Sequence, residues 1–186
     1  NHQLRQIWVR SVCCANLCER LARLLEYPKP GEAFLAGLLH QSGMLILMMN
    51  DCDDYLQLLD SYYEAPYSFC DQERELLQID HCELGALLAQ SWKLDSFIAD
   101  AIQFQRAPAD ELRSTPTLIK ILAVAARFTA SRKPYDDPSA LARAADLLGL
   151  TSETALACVQ EAVDKSIAML TALRIPDAAS LINQHQ

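Results

Sequence analysis

Two interior histidines are the residues of this chain best placed to do chemistry. His40 sits inside GLLHQSGMLIL (37–47) and His81 inside DHCELG (80–85), whereas His2 and His185 lie near the ends. An imidazole can ligate a divalent metal or carry a proton near neutral pH. Either task needs neighbours, since catalytic metal sites generally supply three or more protein ligands. Cys13 or Cys82 could act as a nucleophile with a histidine as base. Adjacent helical residues point about 100° apart, however, so His81 is not expected to serve Cys82. Cys14 and Cys18 share a helix face at i, i+4, and two thiolates fall short of a zinc site. Asp51, Asp53, Asp54, Asp136 and Asp137 precede predicted helices, where capping and dipole compensation account for them. The chain has no Gly-rich phosphate loop, no G-x-S-x-G turn and no H-E-x-x-H pair.

The elements that must position these groups are helices. Three-and-four spacing of Leu4, Ile7, Trp8, Val12, Ala15, Cys18, Leu21, Ala22 and Leu25 predicts an amphipathic helix over 3–26, stopped by Tyr27-Pro28-Lys29-Pro30-Gly31. A second helix is expected from Glu32 to Asn50 as one continuous rod carrying His40. Acids at its start open 53–64. Ser68 with Asp71, and Asp80 with Glu83, read as capping boxes for helices 69–79 and 81–92. A short helix is expected over 95–106. Thr115-Pro116 opens 116–132, Asp137-Pro138 opens 138–148 with Gly149 as its stop, and Thr151 opens a helix to Leu173. Strand alternation never persists, and no repeat of fixed period suggests a solenoid. The fold class is therefore all-α, a compact multi-helix bundle, with 1–175 as a single helical domain and 176–186 as a tail. No heptad seam persists long enough to mark a coiled coil.

Composition narrows the functional classes. The formal net charge is −8 and the sixteen Lys and Arg are scattered, with nothing denser than Arg132-Lys133. A phosphate backbone would be repelled, so nucleic acid is not an expected partner. Seven cysteines without a C-x-x-C pair fit reduced, buried thiols and a cytoplasmic location better than a disulfide framework. The apolar stretch Phe34–Met49 is shorter than the ~20 residues that span a bilayer and contains His40, Gln41 and Ser42, so it reads as a core helix with no membrane role. The chain does not begin with Met and is expected to be part of a longer protein.

The order of residues around the histidines carries a resemblance. EAFLAGLLHQSGMLIL (32–47), DHCELGALLAQSWKLDSFIADAIQFQRAP (80–108) and TLIKILAVAARF (117–128), with IWVRSVCCANL (7–17) ahead, resemble the HDOD domain. That family is related to the HD-type metal-dependent phosphohydrolases and the HD-GYP cyclic-diguanylate phosphodiesterases. HDOD domains carry a further helical bundle ahead of this region, so the resemblance implies that upstream helices are absent here. In catalytic relatives the A-G-L-L-H motif is followed by Asp, and the His-Asp pair grips the metal. Here His40 is kept and Gln41 replaces the acid. Arg10 stands where relatives carry an upstream histidine, His81 matches a family histidine, and Gln105-Arg106 replace a histidine pair ahead of Pro108. A neutral amide and a fixed cation oppose a divalent ion.

The resemblance therefore implies a degenerate site in which His40, Gln41, His81, Gln105 and Arg10 are vestigial. The expectation is no metal, no cofactor and no catalytic residue, hence no enzyme. The expected function is a bacterial signal-transduction or regulatory module that works through protein contacts, with fused receiver, GAF, kinase or diguanylate-cyclase domains as the kind of partner. Tyr55, Tyr62, Tyr63 and Tyr67 are the expected contact features, with simple packing onto the bundle as their bland alternative. One competing function is a residual phosphohydrolase or cyclic-dinucleotide phosphodiesterase using His40 and His81 with Asp80 or Asp100. Another is a small-molecule sensor that uses the old metal cavity, with Arg10 and Arg106 pairing an anion.

Overall fold

The computed structural model describes residues 2–49, 53–62, 68–131, 133–175 and 182. Among them every regular element is helical: α1 (His2–Leu24), α2 (Pro30–Leu39), α3 (Ser42–Met49), α4 (Asp53–Asp60), α5 (Phe69–Leu77), α6 (His81–Ser91), α7 (Ser96–Phe104), α8 (Ala109–Leu112), α9 (Thr117–Ala130), a 3-10 turn (Pro134–Asp136), α10 (Pro138–Leu148) and α11 (Ser152–Ala172). The all-α expectation holds. The stretch 176–186, expected to be a tail, lies outside the described residues apart from Ile182.

Local chemistry explains most boundaries. Asp137 caps α10 by accepting from the Ser139 and Ala140 amides, and Gly149 ends the helix at φ 66°, a left-handed conformation that a residue without Cβ adopts at no steric cost. Thr151 caps α11 through the Thr154 amide. Asp80 caps α6 by accepting from the Glu83 amide at 2.8 Å. Ser68 behaves differently from its predicted role: it makes no side-chain cap at α5, and Asp71 pairs with Arg74 instead. The polar stretches 106–115 and 131–138, at the junctions between the expected helices, contain α8 and the 3-10 turn.

The rod expected over 32–50 is broken at His40-Gln41 into α2 and α3. A continuing helix would bond the Met44 amide to the His40 carbonyl. Here the Met44 amide reaches only Gln41 O at 3.0 Å, and the His40 carbonyl instead accepts from Gln105 Nε2 at 2.8 Å. Half of the apolar window within 30–49 is buried against the rest of the protein, as befits a core element.

Two glycines set the packing around this break. A Cβ on Gly37 would lie 2.7 Å from Ala15 Cα, so α1 crosses directly over α2 there. A Cβ on Gly43 would lie 2.1 Å from the His81 carbonyl oxygen, so the start of α3 presses on the start of α6. The larger apolar core joins α1, α2, α7, α9, α10 and α11 around Val12, Leu21, Ile102, Leu122 and Phe128. A smaller one gathers Ile7, Met44, Tyr55, Leu59, Tyr62 and Phe69. Both sequence-selected histidines are fully buried.

Candidate functional site

The positions carried over from the resemblance are occupied by groups that bond one another. His40 Nδ1 donates to Gly37 O at 2.7 Å, its Nε2 has no hydrogen-bond partner among the described residues, and the ring packs beside the Cys14 thiol. Gln41 Oε1 accepts from Arg10 Nε at 3.2 Å, and its Nε2 donates to Tyr62 Oη at 3.3 Å. The Arg10 guanidinium also lies 4.2 Å from the centre of the Tyr62 ring, within cation–π range. Arg106 Nη2 donates to Tyr62 Oη at 2.6 Å. Gln105 is buried, with its amide donating to the carbonyls of His40 and Ile102. Tyr62 is thus the meeting point of two guanidinium groups and Gln41.

His81 belongs to a different constellation. Helix α5 places Cys70 and Glu73 three residues apart on one face. Gln78 ends that helix in the left-handed region, at φ 63°, and Asp80 starts α6, so the turn brings His81 and Cys82 back onto that face. Glu73 Oε2 accepts from His81 Nδ1 at 2.5 Å and from the His81 amide at 2.9 Å, and Glu73 Oε1 accepts from Tyr55 Oη at 2.7 Å. Cys82 Sγ is 3.5 Å from His81 Nε2, and the two sulfurs are 3.8 Å apart. Cys70 Sγ is 3.9 Å from His81 Nδ1.

The electrostatics follow from this closeness. Burial disfavours charge on His81, but the Glu73 carboxylate and then Cys70 outweigh it and push the imidazole up to about 10. Burial likewise works against the Glu73 carboxylate, and the charge on His81 holds its pKa below the ordinary value. The Cys82 thiol bonds to Cys70 and, against burial and with help from His81, draws the Cys70 pKa down to about 5, while burial pushes Cys82 up. Both shifts follow from the closeness of the two sulfurs, which share one contact at 3.8 Å.

This cluster corrects the expectation that His81 could not reach Cys82. At the first turn of a helix no preceding turn blocks the side chains, so neighbours can converge in a way that mid-helix residues cannot. Cys70 and Glu73 escaped sequence reasoning because no C-x-x-C marks the thiols; the usable signal was the spacing Cys70, Glu73, His81, Cys82 across a helix stop and a capping box.

The remaining predicted residues are placed as follows. Tyr55 and Tyr62 are buried, so they are packing and hydrogen-bonding residues rather than contact features; Tyr63 and Tyr67 lie outside the described residues. Asp80 is buried as the α6 cap and pairs with Arg74, and Asp100 is half-buried on α7. A cleft of 490 Å³ opens over Cys70 and Cys82, with Arg74, Asp80, Phe104 and Arg106 in its wall. Arg10 is not part of that wall; it lies inside, against Gln41 and Tyr62.

Similarity to known proteins fits this picture. The sequence profile of the HDOD domain matches residues 1–108. The chain belongs to the HDOD domain family. Two crystal structures are similar over nearly its whole length. One is a candidate phosphohydrolase from Shewanella amazonensis SB2B, 27% identical with a TM-score of 0.62, covering 96% of this chain and 63% of its own. The other is an HDOD domain protein of unknown function from Geobacter sulfurreducens, 21% identical with a TM-score of 0.58, covering 95% of this chain and 62% of its own. The chain thus spans less than two thirds of either structure, and the second likeness concerns the fold alone. No curated protein matches the sequence.

The divalent ion of HD-type relatives does not fit the residues that this HDOD chain holds in the corresponding positions. Gln41 is engaged by a guanidinium, Gln105 spends its amide on main-chain carbonyls, and Arg10 brings a fixed positive charge. A dication there would meet repulsion and neutral donors instead of carboxylates.

Proposed function

We propose that this HDOD chain is a non-catalytic regulatory module acting through contact with another protein or a fused signalling domain. The observation that carries the proposal is the 3.2 Å bond from Arg10 Nε to Gln41 Oε1: two positions that hold a metal in catalytic relatives are here bonded to each other. Metal-bound water is the nucleophile in metal-assisted hydrolysis, and a guanidinium cannot supply it. Exposed large apolar residues at Leu87, Trp92, Phe97 and Phe104, all on α6, α7 or the turn between them, support a contact role. This surface takes the place of the tyrosines expected from the sequence.

The test has two arms. Purified protein incubated with manganese and either bis(p-nitrophenyl) phosphate or cyclic diguanylate should show no turnover above buffer. In the full-length protein, Trp92→Asp with Phe97→Asp should change the output of the attached or partner domain, whereas His40→Ala should not. Metal-dependent turnover that disappears in His40→Ala would overturn the proposal.

A second reading, a sensor of a small anionic ligand, is favoured by the cleft with Arg74 and Arg106 in its wall. It predicts that pyrophosphate raises the melting temperature and that Arg106→Gln abolishes the rise; an unchanged melting temperature removes it.

A further inference from the structure

Among the described residues, one group of three potential metal ligands has its ligand atoms within 4.8 Å of one another: Cys70, His81 and Cys82, all buried. We infer that these three residues form a zinc site whose fourth position opens to the cleft. The inference goes beyond the regulatory reading and does not rest on it, because the site uses neither His40 nor Gln41 nor Gln105.

Geometry carries the first part of the case. Zinc bound at about 2.3 Å to sulfur and about 2.0–2.1 Å to imidazole nitrogen gives tetrahedral edges of about 3.8 Å between sulfurs and about 3.6 Å between sulfur and nitrogen. The sulfurs of Cys70 and Cys82 are 3.8 Å apart, and Cys82 Sγ is 3.5 Å from His81 Nε2. Two of the three edges thus match a zinc tetrahedron, and the three ligand atoms all lie within 4.8 Å of one another.

The surroundings carry the second part. A metal-bound histidine typically donates its other N–H to a carboxylate, which fixes the tautomer and turns the free nitrogen towards the metal. Glu73 does this for His81 at Nδ1 and is itself held by Tyr55. The pattern leaves Nε2, the nitrogen beside Cys82, as the ligand. Two thiolates and an imidazole favour zinc over magnesium, calcium or manganese, which prefer oxygen. Zinc with two thiolates is electrically neutral, so the ion displaces ligand protons without adding net charge to a buried space. Those protons leave as it binds.

Openness carries the third part. Cys70 and Cys82 both line the 490 Å³ cleft, so a water molecule has access to the fourth position. Zinc would tie α5 to α6 through ligands from both, fixing a turn that otherwise depends on the Glu73–His81 pair.

The experiment uses the whole chain purified under reductant in zinc-supplemented medium. Elemental analysis should find a single equivalent of zinc, and cobalt exchange should give thiolate charge-transfer absorption with ligand-field bands of tetrahedral intensity. Cys70→Ser and Cys82→Ser should lose both signals, and His40→Ala should keep them. Glu73→Gln should keep the stoichiometry while weakening affinity about 10–100-fold, as loss of an orienting carboxylate does. Because a serine variant could fold poorly, alkylation of the wild-type protein gives a second measure: zinc should shield Cys70 and Cys82 from iodoacetamide. A featureless cobalt titration of folded protein, absence of shielding, or zinc that follows His40 instead of Cys70 would overturn the inference.

Discussion

Gln105 Nε2 donates to the main-chain carbonyl of His40 at 2.8 Å, across 65 residues of sequence, and this bond separates α2 from α3. The carbonyl it captures is the one a continuing helix would use. Replacing the amide leaves a buried acceptor unsatisfied, at a cost of about 1–3 kcal/mol. Gln105→Ala should therefore lower the urea midpoint at unchanged slope. A midpoint equal to wild type would mean that the break is held by something else.

Gly43 packs so closely on the start of α6 that an added Cβ would lie only 2.1 Å from the His81 carbonyl oxygen. Alanine there must push α3 away from α6. Gly43→Ala should cost about 1–3 kcal/mol, as other overpacking substitutions do. Gly31→Ala is the control, since nothing lies within 4 Å of its added Cβ. Chemical denaturation of the two variants should separate them clearly; equal midpoints would contradict the close approach.

Glu19 on α1 accepts from Lys165 of α11 at 2.5 Å and from Arg23 at 2.8 Å, and these partners hold its pKa below the ordinary value. A lowered folded-state pKa contributes stability above the unfolded value of about 4.3, and the contribution is lost as pH falls through the folded value. The cations are mostly exposed, so the effect is small. Glu19→Gln should cost about 0.5–1 kcal/mol at neutral pH. The difference from wild type should shrink to nothing once the pH lies below both values. Melting curves across that range check it, and a gap that persists in acid would assign the effect to packing.

How far the sequence discloses this molecule depends on how local the deciding interaction is. Asp137-Pro138 and Gly149 bracket α10 as expected, because cap, first-turn proline and left-handed stop all lie within the segment they govern. Thr115-Pro116 misleads by one step: Pro116 itself holds the cap position of α9, and the Thr115 hydroxyl donates back to Leu112 O. The break at His40 is illegible in the sequence because its partner, Gln105, lies 65 residues away at the C-terminal end of α7. The family positions at His40, Gln41, His81 and Gln105 could be found from motif order. Their partners could not, since Arg10, Tyr62 and Glu73 reach them only through the fold. Cys70 and Cys82 carry no motif at all, and only the reversal between α5 and α6 makes them neighbours of His81.

If a fixed cation is what keeps the old ligand positions from holding an ion, restoring the acid alone should not bring the ion back. Gln41→Asp places a carboxylate beside Arg10, and the two will pair. The variant should therefore take up no manganese, a metal that thiolates hold poorly and that reports on the oxygen and imidazole positions without interference from Cys70 and Cys82. Adding Arg10→His removes the cation and supplies an imidazole, and this double variant should bind manganese where neither single variant does. Titration calorimetry on the three proteins reads the outcome directly. Manganese bound by Gln41→Asp alone would show that Arg10 is no obstacle. In that event the contact-only function would lose the observation on which it stands.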